Sequence, residues 1–247
     1  MKKKILDDYV TRLLNSIEQN LLFYNQNNEA EQLHRLRVNI KRLRALVSFA
    51  SYVYNRQYKA TLLKPLFKEA GIVRELQINK QILKAFPHPP LRLIDELERK
   101  ENKLRQLFVQ NQLLHLEMIN QTNKMLEFPK KRTEKKIVKQ YFEKEQKKAN
   151  KELRKRNREG LHQYRMSLKK IMYIYDALPE VLQQHIKINK EAIDRQQEDL
   201  GDWHDNYAAI LFLSQQSLPQ KSADSLLKLK ETEEKQILTF FEGLNLE

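Results

Sequence analysis

The side chains best placed to do chemistry form a spaced row: His34, Arg37, Lys41 and Arg44 recur at steps of three and four residues. On a helix such steps stay on one face, so the row is a ladder of cationic hydrogen-bond donors. Arginine forks onto two oxygens of an oxyanion and lysine adds a compact ammonium, so the ladder suits an extended anion with several charges. The row is used twice. Leu161-His162-Gln163-Tyr164-Arg165 repeats Leu33-His34-Arg35-Leu36-Arg37, and Lys169-Lys170 repeats Lys41-Arg42.

The element that must carry the row is an amphipathic helix. Leu33, Leu36, Ile40, Leu43 and Val47 make an apolar stripe with helical period. The cations follow the same steps displaced by one residue, about 100° around the helix, so they flank the buried stripe instead of opposing it. Partly buried cations are costly unless paired, and no acid in either stretch follows their spacing. One explanation is that the long side chains cover the core edge with their methylenes and extend their charges to solvent. The repetition favours the other, an anion supplied from outside.

Composition bounds the partner. A net charge of +14 over 247 residues points to a polyanion: nucleic acid, an anionic membrane face or polyphosphate. Much of the excess lies between Lys130 and Arg158, where a solvated helix laced with pairs such as Glu143-Lys147 is expected for most residues. With no cysteine there is no disulfide framework, thiolate metal site or cysteine nucleophile. Met1-Lys2-Lys3-Lys4 begins like a signal peptide, but Asp7, Asp8 and Arg12 interrupt what should be its apolar core. No apolar run is long enough to span a bilayer. The expectation is a soluble, unprocessed cytoplasmic protein.

Four glycines and seven prolines among many helix formers argue for long helices and short connections. The pattern predicts eight, near residues 3 to 25, 29 to 54, 61 to 85, 90 to 126, 133 to 156, 159 to 177, 183 to 215 and 221 to 242. Thr61 is a candidate cap with Pro65 tolerated in the first turn, and Phe128-Pro129-Lys130 separates the halves. A second motif follows each histidine helix: Ala70-Gly71-Ile72-Val73-Arg74-Glu75, then Leu200-Gly201-Asp202-Trp203-His204-Asp205. Glycine within a helix costs about 1 kcal/mol relative to alanine, so close approach of two helices is expected at Gly71 and Gly201. The fold class is all-α: two four-helix bundles, residues 1–127 and 133–247, related by a pseudo-twofold axis.

The two motifs, occurring in order in both halves, resemble the CHAD family, the conserved-histidine α-helical domain, over nearly the whole chain. The resemblance implies one CHAD domain over residues 1–247, a central basic cleft between its bundles, and binding of inorganic polyphosphate. It also implies the ligand set: His34, Arg37, Lys41, Arg42 and Arg44 in the first half, His162, Arg165, Lys169 and Lys170 in the second, with Arg74 and His204 beside the glycines. Met172 replaces the counterpart of Arg44, and Glu75 stands where Asp is usual, so the first half should hold more of the anion. Polyphosphate granules or a polyphosphate-handling enzyme are the partners implied. Many relatives carry a triphosphate-processing CYTH domain ahead of this one. Glu96-Leu97-Glu98-Arg99-Lys100 fits that domain's signature, but inside a helical pattern the match reads as accidental, and a stand-alone member is expected.

Rival chemistries share these residues. Glu31-x-x-His34 and Glu159-x-x-His162 have di-iron spacing, yet Arg37 and Lys41, or Arg165 and Lys169, would face the metals. His34 with Arg37 suits histidine phosphotransfer, although one phosphoryl group needs no ladder. Nucleic acid is the alternative partner, without a helix-turn-helix, zinc finger or RNA-stacking signature; Trp203, Tyr173 and Tyr175 fit core packing better. Ser48 and Ser167 have no placed base and no phosphate loop exists, so a binding protein is expected, with no enzyme activity, metal or cofactor.

Overall fold

Asn28 turns the chain from its first helix into its second within two residues, by adopting a left-handed backbone (φ 55°) that asparagine tolerates. The computed structural model describes residues 3–129 and 134–244. Among them are ten α-helices and no strand: α1 Lys3–Asn27, α2 Ala30–Val53, α3 Lys64–Lys84, α4 Leu91–Gln110, α5 Gln112–Met125, α6 Lys135–Leu153, α7 Arg158–Tyr175, α8 Glu180–Gln183, α9 Lys190–Leu213 and α10 Gln220–Leu244. The all-α expectation holds. No helix among the described residues is long and apolar enough to cross a membrane.

The chain divides by packing into two units. The first comprises Met1–Arg74, Asn102–Lys148 and Lys169–Ile188; the second comprises Glu75–Glu101, Ala149–Leu168 and Asn189–Glu247. The first unit buries the whole apolar stripe of α2, Leu33, Leu36, Ile40, Leu43 and Val47, against Leu13, Ile17 and Leu21 of α1 and Ile171 and Ile174 of α7. The second has a smaller core of Ala149, Leu161, Tyr164, Leu168, Leu200 and Trp203. Tyr173 and Tyr175 pack against the first core and Trp203 is central to the second, as their core assignment expected.

Local boundaries differ from expectation in instructive ways. The helix expected over 90 to 126 is broken at Asn111, whose amide donates to Glu69 (3.1 Å) while His115 Nε2 meets the same oxygen (3.1 Å). His115 is fully buried, and burial lowers its pKa despite the opposing Glu69 carboxylate. Thr61 opens a 3-10 turn, Thr61–Leu63, in place of capping α3, and Pro65 does fall in the first turn of α3. The helix expected from residue 183 begins at Lys190, because Asn189 Oδ1 accepts from Ala192 N (3.0 Å) and fixes a new start. Residue 133, the expected start of the fifth helix, lies outside the described residues. In the basic stretch Glu143 lies 3.7 Å from Lys139, one turn earlier, and not beside the expected Lys147.

Candidate anion-binding site

Phe67 on α3 organises the first unit's row. The Arg37 guanidinium lies 4.3 Å from its ring centroid and the Arg44 guanidinium 5.7 Å, both within cation-π range. Arg37 Nη1 also donates to the Phe67 carbonyl (2.7 Å), so one fork of the guanidinium is anchored to α3. That anchoring explains Gly71. A Cβ there would overlap Arg37 Nη1, so the close approach is made by a side chain and not by a second helix, as the sequence had suggested. Because the obstructing atom ends a flexible side chain, Gly71→Ala should leave stability within about 1 kcal/mol of wild type, the helix preference of alanine offsetting the displacement. It should still free Arg37 from Phe67. Thermal unfolding checks the first effect, and anion affinity, expected to fall severalfold, checks the second.

His34 is where three helices meet electrostatically. Burial lowers its pKa most; Arg74 of α3, Lys41 of α2 and Lys169 of α7 lower it further, and Glu31 acts the other way. His34 keeps an open edge to solvent while its ring is partly enclosed, and Arg74, Lys41 and Lys169 are half-buried. The neutral imidazole therefore sits in a field made positive by members of both sequence repeats. In the unliganded protein a His pKa below its unfolded value means stability falls as pH drops through about 6.5 and below.

Two further cations are held by side chains. Arg42 lies 5.6 Å from the Tyr173 ring centroid. Lys170 donates to Glu145 (3.0 Å), a carboxylate almost wholly buried on α6, and sits 5.5 Å from the Tyr141 ring. Its counterion comes from a different helix, which spacing along one stretch could not reveal.

In the second unit His162 and His204 stack, ring centroids 5.3 Å apart and planes 25° from parallel. His204 Nδ1 is 3.3 Å from Asp205 Oδ1. The pairing repeats the first unit's logic, since Arg74 occupies in its motif the place of His204 and acts on His34. Arg165 is 8% exposed, the most enclosed of the set. Nothing lies within 4 Å of a Cβ built at Gly201, so the expected helix approach is absent there. The two motifs also differ four residues before the glycine, where Phe67, which anchors Arg37, has Gln197 as its counterpart. Met172, in the place of Arg44, is buried in packing.

Sequence reasoning missed Phe67, Glu145 and Glu233. Glu233 of α10 is 2% exposed and accepts from Trp203 Nε1 (2.7 Å) and from Arg158 Nε (3.0 Å) and Nη2 (2.6 Å). The two Glu-x-x-His carboxylates are engaged by neighbours one turn on: Arg35 donates to Glu31 (2.9 Å) and Gln163 to Glu159 (2.8 Å). Among the described residues no three His, Asp or Glu side chains group as a metal site requires.

No protein with curated annotation matches the sequence. Among solved structures the chain is similar to the crystal structure of the CHAD domain from the plant Ricinus communis, at 17% identity and a TM-score of 0.65. The match covers 97% of this chain and 87% of that one, and shows a common fold. The sequence model of the CHAD domain matches residues 6–214, taking in both histidine helices and both glycine motifs, so the chain belongs to the CHAD family.

Proposed function

We propose that the protein binds inorganic polyphosphate through the cations gathered around His34 and acts as a binder rather than a catalyst. The observation that carries this reading is that the charges of Arg74, Lys41 and Lys169, on three helices, all act on the one histidine, His34. Polyphosphate has acceptor oxygens and no bases, so charge spacing and donors must recognise it. The α2 ladder sets donors about 5 to 6 Å apart, within reach of successive or alternate phosphates of an extended chain. His162, His204 and Arg165 form the smaller ligand set of the second unit. A polyphosphate granule or an enzyme that handles the polymer is the partner class this activity would serve.

The test is titration of the purified chain with long-chain polyphosphate, with duplex DNA as competitor. Affinity should fall steeply with salt, as counterion release requires, and DNA should compete poorly. A salt-independent affinity, or displacement by DNA at equal charge, defeats the proposal.

The sign of the pH dependence follows from His34. In the free protein its pKa is lowered, so it is neutral near pH 7. A bound polyanion replaces a positive field by a negative one and raises that pKa, so binding takes up a proton. Affinity for long chains, whose internal phosphates stay charged throughout, should therefore rise from pH 8 to about 5.5. In His34→Ala much of that rise should vanish. A flat wild-type profile would make the histidine a packing residue.

A further inference from the structure

On its other side His34 borders a cavity of about 600 Å³ between α1 and α2, within the size range of small-ligand sites, about 300 to 1,000 Å³. Its lining is chemically unlike the cationic row. Asn20, Phe23, Glu31 and Asn39 contribute to it beside His34 and Arg42. Polyphosphate only accepts hydrogen bonds and is repelled by carboxylates, so Glu31, and amides whose Nδ2 groups are already turned to Ser16, are poor walls for it.

The two amides are built into the wall. Asn20 and Asn39 are 7% and 8% exposed, and each donates through Nδ2 to the Ser16 hydroxyl, at 3.2 and 2.9 Å. Asn20 Nδ2 also approaches the Ser16 carbonyl. Both Nδ2 groups are turned to Ser16, which leaves the carbonyl oxygen of each wall residue as the atom available to accept from a ligand. Glu31 is kept ionised by its Arg35 partner and can accept from N–H groups as well. Phe23 is 52% exposed and offers an apolar face. These features match a planar ring bearing N–H donors, and His34 and Arg42 join them to the cations.

We infer that this cavity is a nucleoside subsite, so that the first unit takes a nucleoside triphosphate with its base between α1 and α2 and its phosphates on the cationic row. The inference rests on the polyphosphate reading for the phosphate half of the ligand and adds the base half.

Calorimetric titration of the full chain with ATP, GTP and inorganic tripolyphosphate, at fixed ionic strength, tests it. All three carry three phosphates and tripolyphosphate has the greater charge, so charge alone would rank it first. The subsite predicts that at least one nucleotide binds about tenfold tighter than tripolyphosphate. Phe23→Ala, an exposed position, should return that nucleotide to the tripolyphosphate level and leave tripolyphosphate and long-chain polyphosphate unchanged. Nucleotides no tighter than tripolyphosphate, or a nucleotide advantage indifferent to Phe23→Ala, would overturn the subsite while leaving polyphosphate binding intact. If no phosphate ligand binds at all, both readings fall. Tight nucleotide binding with none of long-chain polyphosphate would support the subsite and overturn the polymer reading.

Discussion

Replacing Lys41 and Arg74 together by alanine is expected to weaken long-chain polyphosphate binding about a hundredfold or more at about 50 mM salt. The estimate follows from two charge-assisted contacts of about 1.5 to 3 kcal/mol each, lost together. The pair is more telling than Arg37, because Arg37 already donates to the Phe67 carbonyl and its removal would mix binding with packing. Lys41 and Arg74 come from α2 and α3, and each lowers the His34 pKa, so both act in one small region. The salt dependence should also flatten by about one unit of slope per cation removed. The same charge change at exposed Lys103 and Lys124 should cost far less, as a diffuse field would. Equal losses from the two double variants would mean that net charge, and not this cluster, attracts the polymer.

What the sequence revealed and what it hid divide along a physical line. The buried stripe of α2 was legible because helical period alone decides which side of an amphipathic helix leaves water, and all five of its residues are buried. The repeat was legible for a similar reason: identical local designs meet similar partners, so His34 with Arg74 and His162 with His204 come together in their respective units. Hidden were the partners set by tertiary contact. Glu145 neutralises Lys170 from 25 positions away in the chain, and Phe67 sits 30 positions from the Arg37 it anchors. The break at Asn111 was invisible for a related reason, since Asn111 and His115 both turn to Glu69, more than 40 positions earlier. A glycine in mid-helix at position 71 demands a structural cause on propensity alone, but only the tertiary structure distinguishes a guanidinium from a helix backbone as that cause.

The same tertiary logic makes α10 integral to the second unit although the CHAD sequence model ends at residue 214. Glu233 is the reason. Its carboxylate is 2% exposed, and it receives Trp203 of α9 and both forks of Arg158 at the start of α7. Glu233→Ala would leave the buried Trp203 N–H without an acceptor and Arg158 without its counterion. The expected loss is about 2 to 4 kcal/mol, below the full penalty for a broken buried pair because Arg158 is itself half-exposed. Denaturant unfolding, monitored by Trp203 fluorescence, reads this directly, since Trp203 is the one tryptophan and reports the second unit. Arg158→Met alone should cost less than Glu233→Ala, because the carboxylate keeps Trp203. The double variant should cost less than the sum of the two, because the pair acts as one network. Additive losses, or a Glu233→Ala change below about 0.5 kcal/mol, would place the carboxylate outside the load that holds α10, leaving Phe240 and Phe241 packing to account for it.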